Sequence, residues 1–188
     1  YLNEEFEKLG GDKIIIQPKG MGPPGSAGPS LTLTSKDLET IENVRGVKWV
    51  VGFLVKQGQA KFKDEAGIGF AIGSDPDDLK LLSEIQSFSI SDGRDLKKGD
   101  KYKVVVGNNH AYGDIWERGI RIGETIEVEE VDFKVVGILN KIGNPIDDSS
   151  LYMPKDILAE ILNVEDEESQ MMVKTAEGFD PADVAETI

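Results

Sequence analysis

The sequence has 188 residues, enough for one domain of ordinary size or two small lobes whose cores need no disulfides. It contains no cysteine, which excludes thiol catalysis, disulfide bonds and cysteine-ligated metal sites. Its 35 acidic residues outnumber its 21 basic residues, and the formal net charge of −14 repels phosphate backbones, so we expect no nucleic-acid partner.

The N-terminal part of the sequence predicts a strand, a loop and a helix, in that order. Residues 12–17 contain three consecutive isoleucines, which favours a short strand buried on both faces. Residues 20–29 hold four glycines and three prolines, a composition typical of a surface loop. Thr34, with Asp37 three residues later, has the spacing of a capping box and predicts a helix that ends near Gly46.

A hairpin and a second helix are predicted next. Residues 47–55 and 60–72 are rich in β-branched and aromatic side chains and predict two strands, with the turn at residues 56–59. Asp75 and Pro76 are typical of the N-cap and the first residue of a helix.

From residue 87 the pattern changes to short strands and turns, which indicates a β-rich unit. The predicted strands are 103–106, 124–129, 133–139 and 150–152. Within residues 125–129 apolar and acidic side chains alternate, which is typical of a strand with one negatively charged face in water. Pro154 predicts the start of another helix, followed by a strand at 171–174 and a last helix that begins at Asp180.

These elements predict an α+β fold with two lobes. Residues 1–86 and 151–188, from both ends of the chain, are predicted to form a mixed α/β lobe. Residues 87–150 are predicted to form a β-rich lobe inserted into the first.

Two candidates for acid–base catalysis have structural interpretations. His110 is the only histidine, which excludes zinc sites with several imidazoles and leaves a Ser–His–Asp triad without independent support. We interpret His110 as solvent-exposed or structurally satisfied. Asp147 and Asp148 are adjacent in a predicted turn, whereas the two carboxylates of a glycosidase flank the scissile bond.

Candidates for cation and nucleotide binding are equally weak. Asp75, Asp77 and Asp78 lack the glycine and the distal glutamate of an EF-hand loop, and we interpret them as helix-capping residues. The run Glu165–Glu168 is interpreted as a solvated linker. Gly67–Gly73 looks like a dinucleotide fingerprint, but its spacing differs and it lies inside a predicted strand, where we interpret the glycines as easing strand packing.

The aromatic residues Trp49, Tyr112, Trp116 and Phe133 are interpreted as core residues and not as the lining of a ligand pocket. We therefore assign no catalytic, cofactor-binding or metal-binding residue, and the substrate-binding residues stay unknown. The chain is predicted not to be an enzyme and to need no cofactor.

Six short motifs follow one another in the middle of the sequence. They are Gly93-Arg94-Asp95-Leu96, Val104-Val105-Val106-Gly107, Ala111, Gly123-Glu124-Thr125-Ile126, Phe133–Leu139 and Ser150-Leu151-Tyr152-Met153-Pro154. In this order and spacing they resemble the periplasmic or extracellular core domain of ABC transporter permeases of the macrolide-exporter and lipoprotein-release type.

The resemblance implies a permease with one membrane helix before Tyr1 and others after Ile188, so that the chain is the extracytoplasmic domain of a cell-membrane protein. It also implies a cytoplasmic ATPase subunit, a second permease copy in a membrane dimer and an unidentified substrate. The expected role is transport by mechanotransmission, in which ATP hydrolysis in the partner subunit drives substrate export or release.

Two other functions stay open at the level of sequence. One is a free-standing secreted ligand- or protein-binding module that shares the β-rich lobe, and the other is a hydrolase that uses carboxylates. Apolar flanking segments of about 20 residues would favour the permease. Loss of activity on substitution of one or two carboxylates would favour the hydrolase.

Overall fold

The computed structural model describes residues 3–5, 12–18, 32–83, 88–113 and 115–188. The predicted loop at residues 20–29 lies outside these ranges. Strands and helices alternate along the described chain. In chain order they are β1 (Asn3–Glu5), β2 (Lys13–Gln17), α1 (Ser35–Glu42), β3 (Val47–Phe62), β4 (Glu65–Ser74), α2 (Pro76–Ser83), β5 (Ile90–Gly93), β6 (Lys103–Val106), α3 (Asn108–Tyr112), β7 (Thr125–Val128), β8 (Val131–Leu139), α4 (Pro145–Asp148), β9 (Ser150–Pro154), α5 (Lys155–Leu162), β10 (Gln170–Thr175) and α6 (Pro181–Ala185).

The chain divides into two compact units. The first combines Tyr1–Leu54 with Glu165–Ile188, and the second is Val55–Val164. The α+β class is confirmed. The bounds of the units differ from the predicted lobe boundaries at 86/87 and 150/151. The reason is that β4 pairs in parallel with β9 and contacts α5, which keeps these elements with the strands between them.

The first unit is an antiparallel sheet in the order β1-β2-β10-β3 with two helices. In β2 only Ile14 and Ile16 are buried and Ile15 is partly exposed, so the prediction of a strand buried on both faces was wrong. Helix α1 begins with the predicted capping box, in which the backbone N–H of Thr34 donates to Asp37 Oδ2 at 2.8 Å. The core of this unit contains Ile14, Ile16, Leu33, Ile41, Val50, Met171, Val173, Val184 and Ala185.

The second unit is a mixed sheet in the order β3-β4-β9-β6-β8-β5, to which β7 adds by pairing with both β3 and β8. The pairs β4–β9 and β6–β8 are parallel. The pairs β6–β9, β5–β8 and β7–β8 are antiparallel. Its most deeply buried side chains include Phe62, Val104, Val106, Ile120, Ile126, Phe133, Leu151 and Met153.

The hairpin between β3 and β4 turns at a different place from the one predicted. Strand β3 runs without interruption to Phe62, and the turn consists of Lys63 and Asp64, with Lys63 at a φ of 56°. The predicted turn at residues 56–59 therefore lies within a strand. No helix in the described ranges is both long and apolar enough to cross a bilayer.

Candidate functional site

His110 on α3 is buried and hydrogen-bonded at both ring nitrogens. Its Nε2 lies 3.0 Å from the carbonyl oxygen of Ser149, and the indole N–H of Trp116 donates to its Nδ1 at 3.1 Å. A carbonyl only accepts, so Nε2 carries the proton and the ring is neutral. Burial lowers the pKa of His110 to about 4. Of the two interpretations from sequence, the structurally satisfied histidine is the one observed, and neither nitrogen is available to a substrate.

Asp148 closes the loop that precedes β9. It is 2% exposed, its Oδ1 accepts from the backbone N–H of Ile142 at 2.7 Å, and its Oδ2 accepts from that of Gly143 at 2.9 Å. Both oxygens are thus committed to the local backbone.

The other acidic candidates divide into caps and one buried side chain. Asp75 Oδ1 accepts from the backbone N–H of Asp77 at 2.8 Å at the start of α2, as a capping residue does. Glu168 is only 4% exposed, bridges to Leu33 and packs its carboxylate against Gly52 of β3. The prediction of a solvated linker is therefore wrong for Glu168. No cluster of three or more possible metal ligands occurs in the part of the chain that the structure describes.

Three of the four candidate aromatic residues lie in the cores of the units. Trp49, Trp116 and Phe133 are at most 7% exposed, and Trp116 packs on Phe62 with ring centroids 5.9 Å apart. Tyr112 is 65% exposed, so its interpretation as a core residue was wrong. Tyr112 lies two residues after the buried His110 on α3, and helix positions two residues apart face different directions.

The motif that begins at Gly93 connects β5, β8 and the turn before β6. The backbone N–H of Arg94 donates to the carbonyl of Val136 at 2.8 Å, and a Cβ at Gly137 would overlap the carbonyl oxygen of Arg94. The Arg94 guanidinium donates to both oxygens of Asp100, at 2.7 and 3.1 Å. This hydrogen bond raises the pKa of Arg94 and lowers that of Asp100. Gly137 is therefore required for close approach of the two backbones. The paired hydrogen bonds from Arg94 to Asp100, here called the Arg94 clamp, join the end of β5 to the turn before β6.

The remaining motifs also serve the framework of the second unit. Val105 and Val106 of β6 pair with Tyr152 and Leu151 of β9, and Pro154 is the N-cap of α5. All six motifs lie within Val55–Val164. Their order and spacing thus specify strand pairing and close backbone contacts.

This framework matches a known family. A family model described as the MacB-like periplasmic core domain covers residues 1–188. The chain belongs to the family of MacB-like periplasmic core domains. The resemblance predicted from the six motifs is therefore confirmed, and the chain is an extracytoplasmic domain of an ABC transporter permease.

One curated relative is described as the uncharacterized ABC transporter permease MJ1507 of Methanocaldococcus jannaschii. It is 33% identical over 195 residues, which correspond to 100% of this chain and 46% of the relative. The chain thus spans about half the length of this relative.

Two solved structures share the fold at low sequence identity. The periplasmic region of MacB from Actinobacillus actinomycetemcomitans has a TM-score of 0.71 at 14% identity, covering 97% of this chain and 84% of its own. The extracellular domain of the noncanonic ABC-type transporter YknZ from Gram-positive bacteria has a TM-score of 0.66 at 19% identity, covering 83% of this chain and 80% of its own.

Proposed function

We propose that this domain couples ATP hydrolysis by a separate cytoplasmic ATPase subunit to the export or release of a substrate across the membrane. The observation that carries the proposal is the family match over residues 1–188, together with the identity of the relative as an ABC transporter permease. The geometry of the candidate catalytic residues supports a role without chemistry of its own. His110 and Asp148 use their polar atoms within the fold, so neither is available as a general acid or base.

The partners in this proposal are the ATPase subunit, a second copy of the permease and a substrate whose identity is open. The alignment covers only 46% of the relative. We propose that the membrane helices of the permease lie in segments that correspond to the rest of the relative. The domain itself then transmits motion of those helices to the extracytoplasmic side.

Cysteine labelling of the full-length protein tests the position of the domain. Because the chain has no cysteine, a single Tyr112→Cys substitution provides a unique exposed thiol once any cysteines elsewhere have been replaced. We expect a membrane-impermeant maleimide to label this thiol in intact cells. A matched Val51→Cys variant, at a position that is 0% exposed, should react only after denaturation.

Labelling of Tyr112→Cys only after the cells are permeabilised would place the domain in the cytoplasm and contradict the proposal. Recovery of the full-length protein from the medium and not from washed membranes would contradict it as well, because a free-standing secreted module behaves in that way.

A further inference from the structure

A short positively charged segment stands out in a chain whose net charge is −14. Residues 94–103 contain Arg94 and four lysines but only two carboxylates, those of Asp95 and Asp100. Lys97, Lys98, Lys101 and Tyr102 are exposed, and Lys103 is partly exposed. The segment thus presents a local charge opposite to that of the whole molecule.

The segment is held in one conformation by the Arg94 clamp. The backbone N–H of Asp100 donates to the carbonyl of Lys97 at 2.9 Å, and the backbone N–H of Lys97 donates to Asp100 Oδ2 at 2.9 Å. Gly99 occupies the turn with a φ of +89°, which a residue with a side chain rarely adopts. Because Arg94 and Asp100 form an ion pair at 2.7 Å, their charges largely cancel, and the lysines dominate the surface.

A fifth lysine joins this group across the sheet. Lys134 of β8 is the register partner of Lys103 on the parallel strand β6, and its backbone N–H donates to the carbonyl of Tyr102 at 3.0 Å. Like charges directly opposite each other on neighbouring strands disfavour the pairing. Lys103 is close enough to Asp100 to help lower the pKa of that carboxyl, but the ion pair of Asp100 is formed with Arg94.

Tyr102 adds an aromatic side chain to the group. Its ring packs edge-on against the buried Phe133 with centroids 6.1 Å apart, and it remains 48% exposed. The group therefore combines cationic side chains with a fixed aromatic ring. We call Lys97, Lys98, Lys101, Tyr102, Lys103 and Lys134 the lysine surface.

The nearby carboxylates have other cationic partners or are partly buried. Asp77 attracts Lys98 but forms its ion pair with Lys80 at 2.6 Å. Asp95 is half-buried, and its pKa is raised because burial penalises the charged form. Within the described ranges, none of the five lysines of the lysine surface forms an ion pair.

We propose that the lysine surface binds a carboxylate-rich polypeptide segment of a partner protein. Charge complementarity favours a partner with acidic groups. In physiological salt, charges are screened beyond about 8 Å, so the lysine surface attracts only a short acidic segment that fits within it. A bilayer or a nucleic acid would extend beyond the lysine surface and meet the surplus negative charge of the molecule. A second copy of this chain is disfavoured because both copies carry a net charge of −14. The proposal goes beyond coupling and does not depend on it.

Binding of a dye-labelled oligoglutamate of about ten residues, followed by fluorescence anisotropy at low and physiological salt, tests this proposal on the 188-residue chain. The variant Lys97→Gln/Lys101→Gln/Lys134→Gln removes three charges from the lysine surface. The control Lys36→Gln/Lys56→Gln/Lys141→Gln removes three charges from exposed positions elsewhere. Both variants therefore have the same net charge, and circular dichroism confirms that each is folded.

We expect the wild-type chain to bind the peptide in a salt-sensitive manner, the first variant to bind at least about tenfold more weakly, and the control to change by less than about twofold. Absence of wild-type binding at low salt would overturn the proposal, as would equal losses in both variants. Lysine-dependent binding to phosphatidylglycerol vesicles without binding to oligoglutamate would assign the surface to lipid and overturn it too. Lysine-dependent self-association in sedimentation would exclude a separate partner. None of these outcomes bears on coupling to the ATPase.

Discussion

Burial of the neutral His110 ring makes the stability of the second unit depend on pH. Its pKa falls from 6.5 to about 4 because burial disfavours the charged form, and the hydrogen bond with the Ser149 carbonyl only partly opposes this. Between these two values the unfolded chain binds a proton that the folded chain does not. The stabilisation is thus complete above about pH 6.5 and is lost as the pH falls towards 4, by at most about 3 kcal/mol.

A His110→Gln variant should remove this dependence, since glutamine does not titrate. We expect a lower free energy of unfolding at neutral pH, because the ring that joins Trp116 to Ser149 is lost, and a shallower decline from pH 6.5 to 4.5. Denaturant titrations of both proteins at the two pH values measure this difference. The carboxylates titrate in both proteins and cancel in the comparison, so an equally steep decline in the variant would refute the role of His110.

The side chains that the sequence could not place are those whose environment comes from distant segments. Glu168 lies in an acidic run that looks solvated, yet its backbone bridges to Leu33 and its carboxylate packs on Gly52. The exposure of Tyr112 likewise depends on how α3 lies in the second unit. His110 could be narrowed to two interpretations, and only the positions of Trp116 and Ser149 decided between them.

At the scale of elements, helix starts could be predicted because their signals are local. The capping box at Thr34 and the N-caps at Asp75 and Asp180 all occur as the sequence indicates. The β3–β4 turn could not be placed, because β3 continues through Gln59 by pairing with a residue far along the chain. The backbone N–H of Glu129 donates to the carbonyl of Gln59 at 3.2 Å, and Gln59 donates to the Glu129 carboxylate at 3.2 Å.

The β7–β8 hairpin is joined by Glu129 and Glu130, which have φ values of 48° and 65°. Two consecutive residues with positive φ form the type I′ turn that suits a two-residue hairpin, and glutamate is strained in it. A Glu130→Gly substitution should therefore stabilise the chain by up to about 1 kcal/mol. Thermal unfolding monitored by circular dichroism should show a higher midpoint.

Asp132→Gly is the control for this substitution, because Asp132 is also exposed and lies two residues later in β8. Glycine in the interior of a strand should lower the midpoint. If both variants were destabilised, relief of backbone strain at Glu130 would be ruled out.

At the scale of the whole molecule, the order of the six motifs was sufficient to predict the family, because strand pairing and close backbone approach limit which residues fit. The α+β class followed from the predicted helices and strands. The bounds of the two units were less accessible. They depend on which strands pair between β3 and β9, and on the contact of α5 with β4. The lysine surface was not predicted, because the net charge of −14 was considered for the whole chain and the local positive charge of residues 94–103 was not.

Coupling requires that the nucleotide state of the ATPase changes the position of this domain. Asp132→Cys offers an exposed site on β8 for a spin label, in a chain without cysteines. In the full-length permease dimer with its ATPase in lipid nanodiscs, double electron–electron resonance then measures the distance between the labels of the two copies. We predict different distance distributions in the nucleotide-free and the ATP–vanadate-trapped transporter. Identical distributions in a transporter that hydrolyses ATP would contradict the proposed coupling.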